Sequence, residues 1–278
     1  MVFCTRFVVP QTDPLTLAFL RCGIGALCLA PVLARGPWRR GARRADLAGV
    51  VGLGVVLYAL MPASLAAGLQ FTYASRGALV LASQPLLTLL LARGRGVERL
   101  TPAKLLGIAL TVGGLALGLG GPAPAGAGAE RVWVGDALLF FAALCVAVYS
   151  VHSPPYLSRY PPLVFTALTM TTGALALAPG ATAASLAHGF PRFTPLGWAA
   201  VLYIATFGAA IGYSLWVWAL ERTTPTRVVI FIPLNPLTAT ALGGALLGEP
   251  ITPRFLAGLV VVLAGIAVTH RAERTRPP

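Results

Sequence analysis

Residues 81–90 read LASQPLLTLL and residues 232–241 read IPLNPLTATA, so that twice in one chain a carboxamide, Gln84 or Asn235, stands directly before a proline, Pro85 or Pro236, inside a long apolar run. A proline within a helix removes one backbone donor and pushes away the carbonyl four residues back. In an apolar surrounding the freed carbonyls are tolerated only where protein or water fills the gap. The two pairs are therefore expected to face an interior that holds polar groups. Either they line a polar cavity, or their amides pin neighbouring helices together.

That the surrounding is apolar follows from composition. Of 278 residues 57% are hydrophobic and only 10% are charged, with a mean hydropathy of +0.80. A soluble domain carries roughly a quarter of its residues charged. Nine apolar runs, at 14–34, 47–71, 75–92, 102–121, 132–152, 161–180, 195–220, 226–248 and 252–270, are each long enough to cross a hydrocarbon core of about 30 Å as a helix. Alternating β-barrel patterning is missing, so the expected class is an all-α polytopic membrane protein. The first ten residues, MVFCTRFVVP, are too short to cross. The run at 14–34 is not read as a cleaved leader, because Asp13 opens it and the second half of the chain mirrors it.

Net charge is +13. In a soluble protein that would suggest nucleic acid, but here the basic residues sit in short loops beside apolar runs, which is the ordinary signal of membrane topology. With 14–34 running from outside to inside, Arg35, Arg39, Arg40, Arg43, Arg44, Arg93, Arg95, Arg99, Lys104, Arg159, Arg222, Arg227, Arg271, Arg274 and Arg276 fall on the cytoplasmic side. Arg6, Arg76, Arg131, Arg192 and Arg254 fall outside, and Arg21 lies within a span. Cys4, Cys22, Cys28 and Cys145 have no CxxC spacing and read as free, small core residues.

Shifting the chain on itself by 151 positions lays Pro85 on Pro236, Arg76 on Arg227, Glu98 on Glu249, Thr101 on Thr252, Pro102 on Pro253, Gly107 on Gly258 and Gly114 on Gly265. A shift of 148 lays DPLTLAFLRCGIGALCLAP on PPLVFTALTMTTGALALAP, matching Pro14 with Pro162, Gly25 with Gly173 and Pro31 with Pro179. In the topology above Gln84 lies on an inward-running helix and Asn235 on an outward-running one, both near mid-helix. The repeats are thus inverted, an arrangement that puts equivalent helices around a midplane site in transporters. The expected units are 1–121 and 132–270, followed by a tail at 271–278.

The duplicated segments SQPLLTLLLARGRGVERLTPAKLLG and LNPLTATALGGALLGEPITPRFLAG resemble the EamA family of the drug/metabolite transporter superfamily, over essentially the whole chain. The resemblance implies ten helices in two inverted five-helix halves, in a bacterial inner membrane with the C-terminus cytoplasmic. It also implies export of an amino acid or other small metabolite. The family's first helix would precede DPLTLAFLR, and only its tail is expected here as an N-terminal stub beside nine complete helices.

Arg21 sits about 10 Å into its span, where it either contacts a substrate carboxylate or snorkels to the interface. Tyr58, Tyr149 and Tyr213 are expected either as cavity walls or as packing, and Glu98 and Glu249, each beside Thr-Pro, as caps of the following helix. No catalytic residue, cofactor or metal is expected. His152, His188 and His270 lie at margins, loops or the tail, and HExxH, GxSxG and paired intramembrane aspartates are not found. The expected partners are a small-molecule solute and the lipid bilayer, without nucleic acid. A homodimer stays open, as does a membrane scaffold or inactive fragment in place of a carrier. With its acids toward the margins, such a carrier is expected to be a facilitator or a solute-driven exchanger, unless the missing first helix supplies a carboxylate or histidine at mid-depth.

Overall fold

The computed structural model describes residues 2–34, 43–96, 101–119, 129–189, 191–225, 228, 242, 244–245 and 252–274. Its elements are helices: α1 (Val2–Val8), α2 (Pro14–Ala34), α3 (Leu47–Val55), α4 (Met61–Phe71), α5 (Ala74–Leu81), α6 (Gln84–Gly94), α7 (Pro102–Leu119), α8 (Ala129–His152), α9 (Pro154–Leu157), α10 (Pro162–His188), α11 (Pro195–Tyr203), α12 (Gly212–Arg222) and α13 (Pro253–Arg274). Six stretches, Pro14–Ala34, Arg44–Phe71, Ala74–Gly94, Arg131–His152, Pro162–Ala187 and Pro195–Arg222, are long and apolar enough to cross a membrane; Pro102–Gly118 and Pro253–Val268 are shorter apolar helices. The protein is an all-α membrane protein. Asn235, Pro236, Glu98 and Glu249, with most of the run 226–248, lie outside the described residues.

Proline begins α2, α7, α10, α11 and α13, where its missing N–H costs nothing. Next to it a polar side chain accepts from the exposed amides of the first turn. Asp13 Oδ1 takes Thr16 N at 2.8 Å, Thr101 Oγ1 takes Lys104 N at 3.3 Å, Thr194 Oγ1 takes Gly197 N at 3.0 Å and Thr252 Oγ1 takes Phe255 N at 3.1 Å. The hydroxyls of Thr101 and Thr252 thus cap α7 and α13. His188, expected in a loop, is the last residue of α10, which runs eight residues past the expected end at 180 because 181–188 are alanine-rich and carry no helix breaker.

Two long stretches are not regular. A π-helical segment, Val56–Leu60, joins α3 to α4, and another, Ile204–Ile211, joins α11 to α12. A third irregularity falls at the quoted motif. The stretch 74–94 is broken at Ala82–Ser83, so Gln84 opens α6 instead of standing within a continuous helix, and Pro85 occupies the first turn. Pro85 has no N–H for the Leu81 carbonyl, and Ser83 N turns back to Val80 O at 3.0 Å.

The helices pack through glycines. α7 lies along α13, where a Cβ on Gly114 would sit 2.7 Å from Gly258 O and one on Gly265 would sit 2.6 Å from Gly107 O. Moving up α7 from 107 to 114 moves down α13 from 265 to 258, so the two helices are antiparallel. α2 lies along α10, and α10 along α3; a Cβ on Gly25 would meet Met170 Sδ at 2.8 Å, and one on Gly173 would meet Gly54 O at 2.7 Å. Small residues give this approach where lipid offers no hydrophobic drive between helices.

Gly114→Ala is expected to destabilise the detergent-solubilised protein by roughly 1–3 kcal/mol through overpacking. Gly113→Ala, with nothing within 4 Å of its Cβ, is expected to be neutral or to stabilise by up to ~1 kcal/mol. The two denaturation midpoints, read side by side, check the contact.

Candidate functional site

Arg21 is the eighth residue of α2 and is 3% exposed. The guanidinium does not reach outward to an interface. Its Nη2 donates to the Tyr213 hydroxyl at 2.9 Å, with the guanidinium carbon 5.6 Å from the centre of that ring. Tyr213 stands at the second position of α12, immediately after the π segment 204–211. Its hydroxyl also lies 4.0 Å from Met61 Sδ.

Tyr58 lies inside the other π segment and is fully buried. Its ring meets Tyr213 edge-on at 5.1 Å and Tyr149 edge-on at 6.0 Å, the geometry that aligns the positive edge of one ring with the negative face of another. Tyr149, on α8, brings its hydroxyl to 3.4 Å from Thr169 Oγ1 on α10. A π turn widens the hydrogen-bond ladder by one residue and shifts the side chains before it around the axis, and such turns recur at functional sites. Here they supply or flank two of the three tyrosines.

Four of the residues expected from sequence are therefore brought together: Arg21, Tyr58, Tyr149 and Tyr213 form one connected group on α2, α8, α12 and a π segment. Gln84 is buried at the start of α6, which packs on α8. Around it the buried hydroxyls of Ser83 and Thr88 have no hydrogen-bond partner among the described residues. Leaving such groups dry costs about 1–3 kcal/mol each. Thr169 and Met61 had not been expected, because a threonine or methionine in an apolar run carries no sequence signal of its contacts.

Charge pairs lie away from this core. Arg76 Nη2 donates to Asp136 Oδ2 at 2.7 Å, and Arg76 Nε lies 3.2 and 3.1 Å from the two carboxylate oxygens, with the side chains 8% and 7% exposed. Arg76 had been counted as a loop charge; it is a buried structural partner joining α5 to α8. Arg159 Nη2 donates to Asp46 Oδ1 at 2.7 Å. His152 Nδ1 lies 2.8 Å from Val148 O of its own helix. Among the described residues there is no group of three or more His, Cys, Asp or Glu that could hold a metal ion. The core offers donors, acceptors and aromatic faces.

The sequence model of the EamA-like transporter family matches residues 1–119 and 133–271. An uncharacterized transporter of Archaeoglobus fulgidus is 25% identical over 269 residues, 96% of this chain and 92% of that protein. A probable terminal-alkyne amino-acid exporter of Streptantibioticus cattleyicolor is 28% identical over 88% of this chain and 79% of its own length. An uncharacterized protein of Pseudomonas aeruginosa is 31% identical over 92% of this chain and 84% of its own. A solved crystal structure shares the fold with a TM-score of 0.68 at 20% identity, covering 98% of this chain and 93% of that one.

Asp136→Asn, which removes the carboxylate charge from the buried Arg76 guanidinium, is expected to destabilise the protein by about 3–5 kcal/mol. Replacing both partners, Arg76→Met with Asp136→Leu, is expected to recover most of that loss. Thermal unfolding of the three proteins in one detergent measures it.

Proposed function

Because the chain belongs to the EamA-like transporter family, we propose that it is a secondary transporter that exports a small polar or amphipathic metabolite, such as an amino acid, by alternating access. The observation that carries this reading is the Arg21–Tyr213 contact, a guanidinium and a phenol meeting between α2 and α12 at membrane depth, with Tyr58 edge-on to Tyr213 and Tyr149 edge-on to Tyr58. An intramembrane arginine is costly and belongs to a site more often than to a lipid-facing surface. It forms short, strong bonds to a carboxylate, while the tyrosine rings suit an apolar or cationic moiety. The amino-acid solute is further supported by the printed role of the Streptantibioticus cattleyicolor relative.

The two halves, 1–121 and 132–270, are inverted with respect to each other in this reading, five helices to each half. Support comes from α7 and α13. Under the shift of 151, Gly107 becomes Gly258 and Gly114 becomes Gly265, so the Gly107–Gly265 contact turns into the Gly258–Gly114 contact. A pair of contacts that exchange in this way between antiparallel helices is what a pseudo-twofold axis in the membrane plane requires. The starts of α2 and α10, at Pro14 and Pro162, of α3 and α11, at Leu47 and Pro195, and of the π segments, at Val56 and Ile204, likewise stand 148 positions apart. In this reading the membrane is a bacterial inner membrane and the tail 271–278 is cytoplasmic, an orientation that the basic loops support.

The test is counterflow of labelled amino acids into proteoliposomes carrying the full chain. Arg21→Gln is expected to lower flux of a carboxylate-bearing solute by roughly tenfold to a hundredfold, the worth of a charged hydrogen bond. Gln84→Leu and Asn235→Leu are expected to lower flux while leaving membrane insertion intact, since leucine suits the span but binds no polar group. Normal flux in all three variants overturns the proposed site. With the acids of the sequence toward the margins of the spans, transport is driven by the solute gradient in this reading. A step in external pH alone is therefore expected to give no uphill accumulation.

A further inference from the structure

Two contacts join the halves of the chain at opposite ends of the bundle. At one end Arg159 donates to Asp46 Oδ1 at 2.7 Å and the Tyr160 hydroxyl donates to Asp46 Oδ2 at 3.3 Å. At the other end the backbone N–H and the hydroxyl of Thr194 donate to Gln11 Oε1 at 3.0 and 3.3 Å. α10 begins three residues after Arg159 and ends six before Thr194, and its 27 residues span roughly 40 Å. Moved by 148 positions, residue 11 becomes 159 and residue 46 becomes 194. One contact is thus made twice, with the halves exchanging roles, in the same register that relates α2 to α10.

Their chemistry is unequal. The Asp46 end is an ion pair with a third member, its side chains 9% and 34% exposed for Asp46 and Arg159. The Tyr160 hydroxyl also accepts from Arg43 N at 3.3 Å. The Gln11 end is a neutral hydrogen bond in an exposed setting, and the Thr12 hydroxyl, which stands where Tyr160 does, has no hydrogen-bond partner among the described residues. Packed rings connect the ionic end to the core. Tyr156 and Tyr160 lie 5.8 and 6.5 Å from Phe165, which lies 6.0 Å from Tyr149, the neighbour of Tyr58.

We propose that these contacts are the two gates of the carrier, equivalent by the repeat, and that their unequal strength sets the resting state. The ionic gate stays shut more of the time, so the empty protein opens more readily at the Gln11 end. This rests on the transport reading, and in the orientation given above the ionic gate is the cytoplasmic one.

The experiment uses the full chain in nanodiscs with Cys4, Cys22, Cys28 and Cys145 replaced. One reporter cysteine is placed either at Ser153, fully buried beside Tyr149 at the Asp46 end, or at Thr16, 4% exposed in the first turn of α2 at the Gln11 end. The rate of reaction with a water-soluble maleimide is measured. Asp46→Thr with Arg159→Gln gives the ionic gate the chemistry of the neutral one. It is expected to raise labelling at Ser153→Cys roughly fivefold, the worth of a partly exposed ion pair, and to lower it at Thr16→Cys. Gln11→Arg with Thr194→Asp is expected to do the reverse, and the charge reversal Asp46→Arg with Arg159→Asp to return both rates to those of the parent. Unchanged rates, a rise at both ends together, or a reversal that labels as fast as the disabled gate would each overturn the proposal. Counterflow in the same variants separates the two readings. Exchange of labelling without flux in any protein leaves the gates standing and removes the transport reading, whereas flux without exchange does the opposite.

Discussion

Lipid offers the backbone no hydrogen bonds, and the rest of this structure depends on that fact. It makes helices of the apolar runs, and it makes every departure from a regular helix expensive unless polar groups are at hand. The departures seen here keep to that rule. The break at Ala82–Ser83 brings Gln84, Ser83 and Thr88 together in a buried wall, and the two π segments place or adjoin Tyr58 and Tyr213. Irregular backbone and buried polar side chains occur together here, and the hydroxyls of Tyr58, Ser83 and Thr88 are left without a hydrogen-bond partner among the described residues.

The same constraint sorts the charges. Toward the ends of the bundle, arginine meets carboxylate, Arg76 with Asp136 and Arg159 with Asp46. Within the core, Arg21 meets a phenol. A guanidinium bonded to a neutral hydroxyl gives up that partner to an incoming carboxylate at far less cost than one already locked to an aspartate.

Close packing supplies the mechanical side. Glycines at 107, 114, 258 and 265 let α7 and α13 approach to backbone contact, and those at 25, 54 and 173 do the same for α2, α3 and α10. Helices in such contact slide or rock as units, because the interdigitated surface resists continuous deformation. In the proposed transport cycle the polar contacts at the ends break and reform, while the glycine-lined contacts persist.

Read alone, the sequence determined the membrane class, the helical content, most helix positions and the resemblance to a transporter family. Each of these follows from local composition or from a pattern repeated along the chain, such as the proline that opens α2, α7, α10, α11 and α13. It also singled out Arg21, Tyr58, Tyr149 and Tyr213, since polar and aromatic residues in apolar runs stand out one by one. Only the tertiary structure decided that these four touch, that Arg76 is buried against Asp136 and not a loop charge, that Asp46 holds Arg159, and that Thr101 and Thr252 cap their helices. Partners 60 to 192 positions apart leave no trace in a hydropathy profile, because pairing depends on which helix faces meet. The faces are set by glycine contacts and π turns, whose effect on side-chain direction is a property of the packed bundle and of no single segment.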